Sequence, residues 1–443
     1  MNETLLPYRP VDAVIERAPA VIPEALAFAE SMLASIRNGG ESIIVEQMDR
    51  FGERGPEDLV TVDRDRMRAA VDGLPVESRR IIESAAARIR SFAELQLAAF
   101  APVRVALGSE SGDGFEAGHD LIPIESVGCY APGGRYPLPS SVLMTAIPAR
   151  VAGVSAVRVA SPNPTEEMLA AAWFADADSM LCAGGAHAIG AFTEGCFGPR
   201  CDMIVGPGNR YVTAAKALVS GPVHGPVRID AIAGPSELLV LADGGSDPEV
   251  IAADLIAQAE HDPDAGVWVA TTDSSAGSSI REAVRRGVEA LPAPNRATAG
   301  TSLRRGGVFR VNDRDGLVAI ADRIAAEHLE ILTEDPEEIA GRVRHAGGVF
   351  IGGGAGEVFG DYGIGPNHVL PTGGTARFTA GLSVLDFLRV RTWLRASSPG
   401  PKAEAIEEIA AFARLEGLEG HARAAEVRLV SDRTGPVSGV VVE

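Results

Sequence analysis

The chain is 443 residues long, with room for two or three domains that each have a core, and its 46% hydrophobic and 23% charged residues are ordinary for a globular protein. A formal net charge of -20 weighs against DNA, RNA or an anionic membrane as the main partner. It leaves room for a phosphate-bearing cofactor, because backbone N–H groups at a helix start bind phosphate locally.

The opening "MNETLLPYRPVDAV" lacks the basic and apolar regions of a signal peptide, and no apolar run is long enough to span a bilayer. Cys129, Cys182, Cys196 and Cys201 show no C-x-x-C spacing, so a reduced, cytoplasmic protein is expected, with Cys129 a small buried hydrophobe rather than a nucleophile.

In chain order, "PEALAFAESMLASIRNGG" carries apolar residues at helical spacing and stops at Gly-Gly, and "ESRRIIESAAARIRSFAELQLAAF" predicts a longer helix. "GERGPEDL" between them reads as a loop. From about residue 120, short β-branched runs alternate with helical patterns: "VSAVRVASP", "SMLCAGG", "DMIVGPGN", "ELLVLAD", "GVWVATTD", "GGVFRV" and "GGVFIGG" predict strands. After about residue 385, "PKAEAIEEIAAFARLEGLEGHARAAEVRLV" predicts one or two amphipathic helices. The expected fold is α/β: two Rossmann-like parallel-sheet domains, with additional helical segments at the N- and C-termini.

Polar residues interrupt this pattern at a few places. Asp247-Pro248 starts a helix, "PEVIAADLIAQAEH", expected to run to Asp262-Pro263. Gln258 and His261, three apart, then share one face near its end, a spacing suited to two metal ligands. Taken alone, the pair is better read as a solvated Gln and a His interacting with the helix dipole. Glu327 and His328 sit side by side in an apolar setting and offer two proton-transfer groups, or a helix-end ion pair. "FGDYGIGPNHVLPTGGTARF" packs Asp361, Tyr362, Asn367 and His368 into a Gly/Pro-rich loop, and Glu416 and His421 punctuate the tail. The turn "GPGN", before a helix, suits a nucleotide because glycines admit close approach and the helix start presents free N–H groups. A G-x-G-x-x-G fingerprint is missing.

Seven stretches in order, roughly residues 25 to 430, resemble the histidinol dehydrogenase family: "GCYAPGGRYPLPSSVLMTAIPARVAGV", "VGPGNRYVTAAK", "AGPSELLVLAD", "AADLIAQAEHDP", "AAEHLEIL", "GDYGIGPNHVLPTGGTARF" and "EGLEGHA". The resemblance implies oxidation of L-histidinol through L-histidinal to L-histidine, with two NAD and a Zn²⁺. It implies zinc ligands at Gln258, His261, Asp361 and His421, and the catalytic pair at Glu327 and His328. Substrate contacts would fall on Ser236, Gln258, His261, His328, Asp361, His368, Glu416 and His421, and cofactor contacts on Tyr130, His187 and Asn209. In this reading His328 takes the alcohol proton and Glu327 activates water for the second oxidation.

The implied division places a helical segment at 1–22 and a first α/β domain, carrying much of the metal site, at 23–126 plus 239–380. A second α/β domain, binding NAD, occupies 127–238, and a helical tail at 381–443 completes the site of a partner subunit in a homodimer.

One position departs from the family. "GGAHAIG" has His187 where histidinol dehydrogenases commonly read Gln in "GGAQAI". An imidazole still donates one hydrogen bond, but with different reach. With the tail, this keeps open a sister dehydrogenase of another polar alcohol, such as a sulfonated propanediol. A zinc hydrolase with Glu327 as base would need an open metal position, which four protein ligands leave unavailable.

Overall fold

The computed structural model of the chain describes residues 4–430 apart from 55, 108–112, 134–136, 222–226 and 398–399. It divides into two units, Met1–Leu97 with Ile124–Phe387, and Ala98–Pro123 with Leu388–Glu443.

Two parallel sheets organise the first unit. In the first sheet the strand order is Tyr8–Arg9, Gly307–Arg310, Gly266–Thr271, Glu237–Ala242, His328–Leu332 and Gly348–Ile351, with every neighbouring pair parallel. Its central strand "ELLVLA" is buried throughout, because helices cover both faces. The two-residue period divides it accordingly: Leu238, Val240 and Ala242 enter one apolar cluster and Leu239 and Leu241 the opposite one.

The second sheet runs Thr61–Asp63, Ser179–Leu181, Ala156–Ala160, Ser126–Tyr130, Met203–Val205 and Arg228–Ile229, parallel except at the antiparallel edge strand Thr61–Asp63. The helix Pro23–Gly39 packs on the helices Gly185–Glu194 and Arg210–Val219, and Arg64–Gly73 packs on Glu166–Phe174. In the second unit, Val103–Leu107, Phe115–Pro123 and Leu388–Ala396 form an antiparallel sheet, followed by the helices Ala403–Leu415 and Glu419–Val430.

Four expectations need correction. Residues 4–22 form no helix: Pro7, Pro10 and Pro19 each remove a backbone donor, and Tyr8–Arg9 instead pairs at the edge of the first sheet. The segment from 381 is not wholly helical, since "LRVRTWLRA" forms a nine-residue strand. Residues 23–97 belong with the second sheet rather than the first, through the edge strand Thr61–Asp63 and the helix contacts above, and Ala98–Pro123 belongs to the second unit. Finally, the helix Pro248–Ala259 ends before His261, where Glu260 is its cap.

Candidate active site

A cavity of about 900 Å³ in the first unit brings together Ser236, His261, Glu327, His328, Asp361 and His368. Ser236 immediately precedes one central strand of the first sheet, and His328 opens the next, with Leu238 its register partner. The acid–imidazole pair therefore stands at the amino ends of that sheet's strands. The second sheet contributes from its carboxyl ends, where open α/β sheets usually bind ligands. Tyr130 ends its strand there, and the turn Gly206–Asn209 follows Met203–Val205.

His328 is buried, and its Nδ1 lies 3.1 Å from the Glu237 carbonyl oxygen. A carbonyl only accepts, so the ring proton resides on Nδ1 and Nε2 keeps its lone pair. Burial holds the ring's pKa below the ordinary histidine value, opposed by the nearby Asp361 charge. Glu327 Oε2 accepts the Glu237 N–H at 2.9 Å. Its burial drives its pKa well above the usual carboxyl range, and the charges of Glu237 and Asp361 add to this. His368 repeats the pattern: Nδ1 donates to the Asp361 carbonyl at 3.0 Å, and burial lowers its pKa.

Gln258 lies behind this wall, buried at the end of its helix. With its amide nitrogen oriented toward Glu357, it donates to both carboxylate oxygens at 3.0 Å, and its oxygen keeps its lone pairs. Among the described residues no three His, Cys, Asp or Glu side chains converge as a metal centre. His421 and Glu416 lie in the second unit, both exposed, on its last helix and at the cap of the preceding one.

Tyr130 and His187 line a second cavity of about 740 Å³, which shares Pro132, Leu138 and Asn209 with the first. The Tyr130 hydroxyl accepts from the Gly185 N–H at 3.2 Å. Gly206, at φ +111°, is obligatory, because any side chain there would strike the Tyr130 carbonyl. The buried Lys216–Asp230 pair clamps this turn, with Lys216 Nζ on the Gly206 carbonyl at 2.8 Å and Asp230 accepting the Gly206 N–H at 2.7 Å. The expected free N–H groups of the following helix are partly taken: Asn209 Oδ1 accepts from Tyr211 and Val212 at 3.0 and 3.2 Å.

Several participants escaped sequence reasoning. Residues Ala18, Pro19, Ala20 and Ile22 wall the first cavity, and Arg17 anchors this strap to buried Glu237 and, at 2.6 Å, to the Ile324 carbonyl. Glu357, four residues before Asp361, and Glu53, in the "GERGPEDL" loop, carried no spacing signal of their own.

Two sheets that open onto cavities with shared walls, one of them holding a buried acid–imidazole pair, define an α/β protein with an enzyme-like site. Comparison with known proteins is more specific. The histidinol dehydrogenase family model matches residues 16–429, and the chain belongs to that family. A histidinol dehydrogenase of Ralstonia nicotianae is 41% identical over 431 residues, covering 94% of this chain and 92% of the relative. One from Thermus thermophilus is 40% identical over 410 residues, covering 92% and 95%. The crystal structure of histidinol dehydrogenase from Elizabethkingia anophelis matches with a TM-score of 0.88 at 31% identity, covering 97% of this chain and 99% of that one.

Proposed function

We propose that this enzyme oxidises L-histidinol through L-histidinal to L-histidine in the cytoplasm, using two NAD and a zinc ion. The observation that carries the reading is the fixed tautomer of His328, whose free Nε2 shares a cavity with Glu327, His261, Asp361 and His368.

The donor types of three of these residues would suit a zinc ion. His261 offers an imidazole, Asp361 a carboxylate, and Gln258 an amide oxygen left available because its nitrogen is held by Glu357. His421 of a second copy of the chain is the proposed fourth ligand, and Glu416 beside it the proposed grip on the substrate's imidazole or ammonium. When bound, Zn²⁺ supplies a Lewis acid that orients the substrate's nitrogens, and NAD, against Tyr130, His187 and Asn209, supplies the hydride acceptor.

This chain's side chains move the protons. His328 accepts the alcohol proton at Nε2 as the carbinol is oxidised, and its burial keeps it neutral and ready to do so. In the second oxidation Glu327, ionised, takes a proton from the water that adds to the aldehyde carbon; its raised proton affinity makes it the stronger base. Ser236 and His368 line the same cavity and form the wall that holds the substrate in place.

The test is stoichiometric. Purified protein with zinc, L-histidinol and NAD is expected to release two NADH for each histidinol consumed. Turnover of 2,3-dihydroxypropane-1-sulfonate with none of histidinol would overturn the assignment.

A further inference from the structure

The catalytic pair uses the amino ends of the first sheet, and the carboxyl ends of that sheet hold a separate group of polar residues. Arg310 is the last residue of the strand Gly307–Arg310, in register with Thr271, the last of Gly266–Thr271. The helix Ser274–Ala290 follows and carries Ser278 and Arg281, three apart and on one face. Tyr8, on the edge strand Tyr8–Arg9, reaches the same place, with its hydroxyl 3.2 Å from Ser278 Oγ. Gly277 permits this approach, since a Cβ there would come within 3.0 Å of the Tyr8 hydroxyl.

Two guanidiniums meet on that phenol. Arg310 stands 3.9 Å and Arg281 5.0 Å from the centre of the Tyr8 ring. Neither pairs with a carboxylate among the described residues, although the chain carries a net charge of -20. Their neighbours on the same helix behave otherwise: Arg285 binds Glu282 and Glu289 at 2.7 Å, and Arg286 reaches Glu249. The Arg281 Nε is buried without an acceptor. The ring attracts each cation weakly at a surface, while the two like charges oppose one another.

An anion would satisfy both. Each guanidinium offers a planar fork of donors that matches phosphate oxygens, and of the two paired hydroxyls one keeps a proton to donate outward. Burial alone would raise the Tyr8 pKa, but Ser278 and the two guanidiniums bring it below the ordinary phenol value, as a positive potential requires. The carboxyl ends of strands are also where open α/β sheets commonly bind ligands.

We propose that Tyr8, Ser278, Arg281 and Arg310 form a binding site for a phosphate group, carried by inorganic phosphate or by a small phosphate monoester. None of the four lines either cavity described above, so the site is independent of the substrate assigned there. A ligand held by it ties the first strand of the chain to a helix 270 positions on, and stabilises the folded chain.

Equilibrium dialysis of the full-length, zinc-loaded enzyme against radiolabelled inorganic phosphate, at constant ionic strength, tests this. One phosphate per chain is expected, with a Kd of about 1 mM and a melting temperature that rises with phosphate. Arg281→Gln and Arg310→Gln should each weaken binding about tenfold and remove most of that rise, with turnover in phosphate-free buffer unchanged. Competition by ribose 5-phosphate separates the two sources. Displacement at lower concentration than phosphate itself assigns the site to a monoester; displacement only at higher concentration, or none, assigns it to the free ion. A wild-type enzyme that binds no phosphate at about 10 mM, or two arginine variants that bind it as the wild type does, would overturn the proposal.

Discussion

The Glu237 carbonyl decides which nitrogen of His328 carries the proton, and this one backbone contact leaves Nε2 as the nitrogen with a free lone pair. His328→Asn is expected to lower kcat about 10²–10⁴-fold, with bound zinc and folded stability retained; a tenfold loss or less would remove His328 as the base. Glu357 should show in metal binding instead. Without its grip the Gln258 amide turns freely, so Glu357→Ala should weaken zinc affinity about 10–100-fold, read by metal content after dialysis against a competing chelator. The sequence announced Glu327, His328, Asp361 and His368 through adjacency and through their density in one glycine-rich loop. It hid Glu357 and Glu53, because each acts through a partner distant in sequence: Glu357 through Gln258, and Glu53 through His187, 134 positions on.

Among the elements, the strap before the first helix links chain ends to chemistry. Arg17 neutralises Glu237, a carboxyl whose burial raises its pKa and whose own N–H holds Glu327. Removing one partner leaves a buried charge unpaired, so Arg17→Ala is expected to destabilise the fold by about 3 kcal/mol in urea denaturation. Adding Glu237→Gln should recover part of that loss. The buried parallel strands were legible as near-continuous apolar runs, and the helix Pro248–Ala259 through Asp247 at its start. The strand Leu388–Ala396 was legible too, in retrospect, since Arg389, Arg391 and Arg395 fall on alternate positions among apolar residues. The strap was not, because an irregular segment has no period to read.

At the scale of the whole molecule, two measurements probe the core and the assembly. Glu330, buried beside Asp254, has its pKa pushed up to about 8, by burial first and then by the Asp254 charge. A carboxyl with a folded pKa above its unfolded value adds stability that is complete below the unfolded pKa and is lost as pH rises through the folded one. The melting temperature of the wild type should therefore fall between about pH 5 and 8, and Glu330→Gln should flatten that fall; parallel curves would refute the assignment. If His421 of one copy serves another, co-refolding His421→Asn with His328→Asn protein should regain about one quarter of wild-type activity, since half the dimers are mixed and each holds one intact site. Sequence could suggest such sharing only through resemblance, because periodicity carries no information about which copy a helix serves. The wall held in common by the two cavities has a practical consequence for inhibition. A molecule joining an imidazolyl amine to a flat aromatic group by a tether of matching span would gain from effective concentration at its second anchor, so its potency should exceed that of either fragment by orders of magnitude, provided the linker clears Pro132 and Leu138.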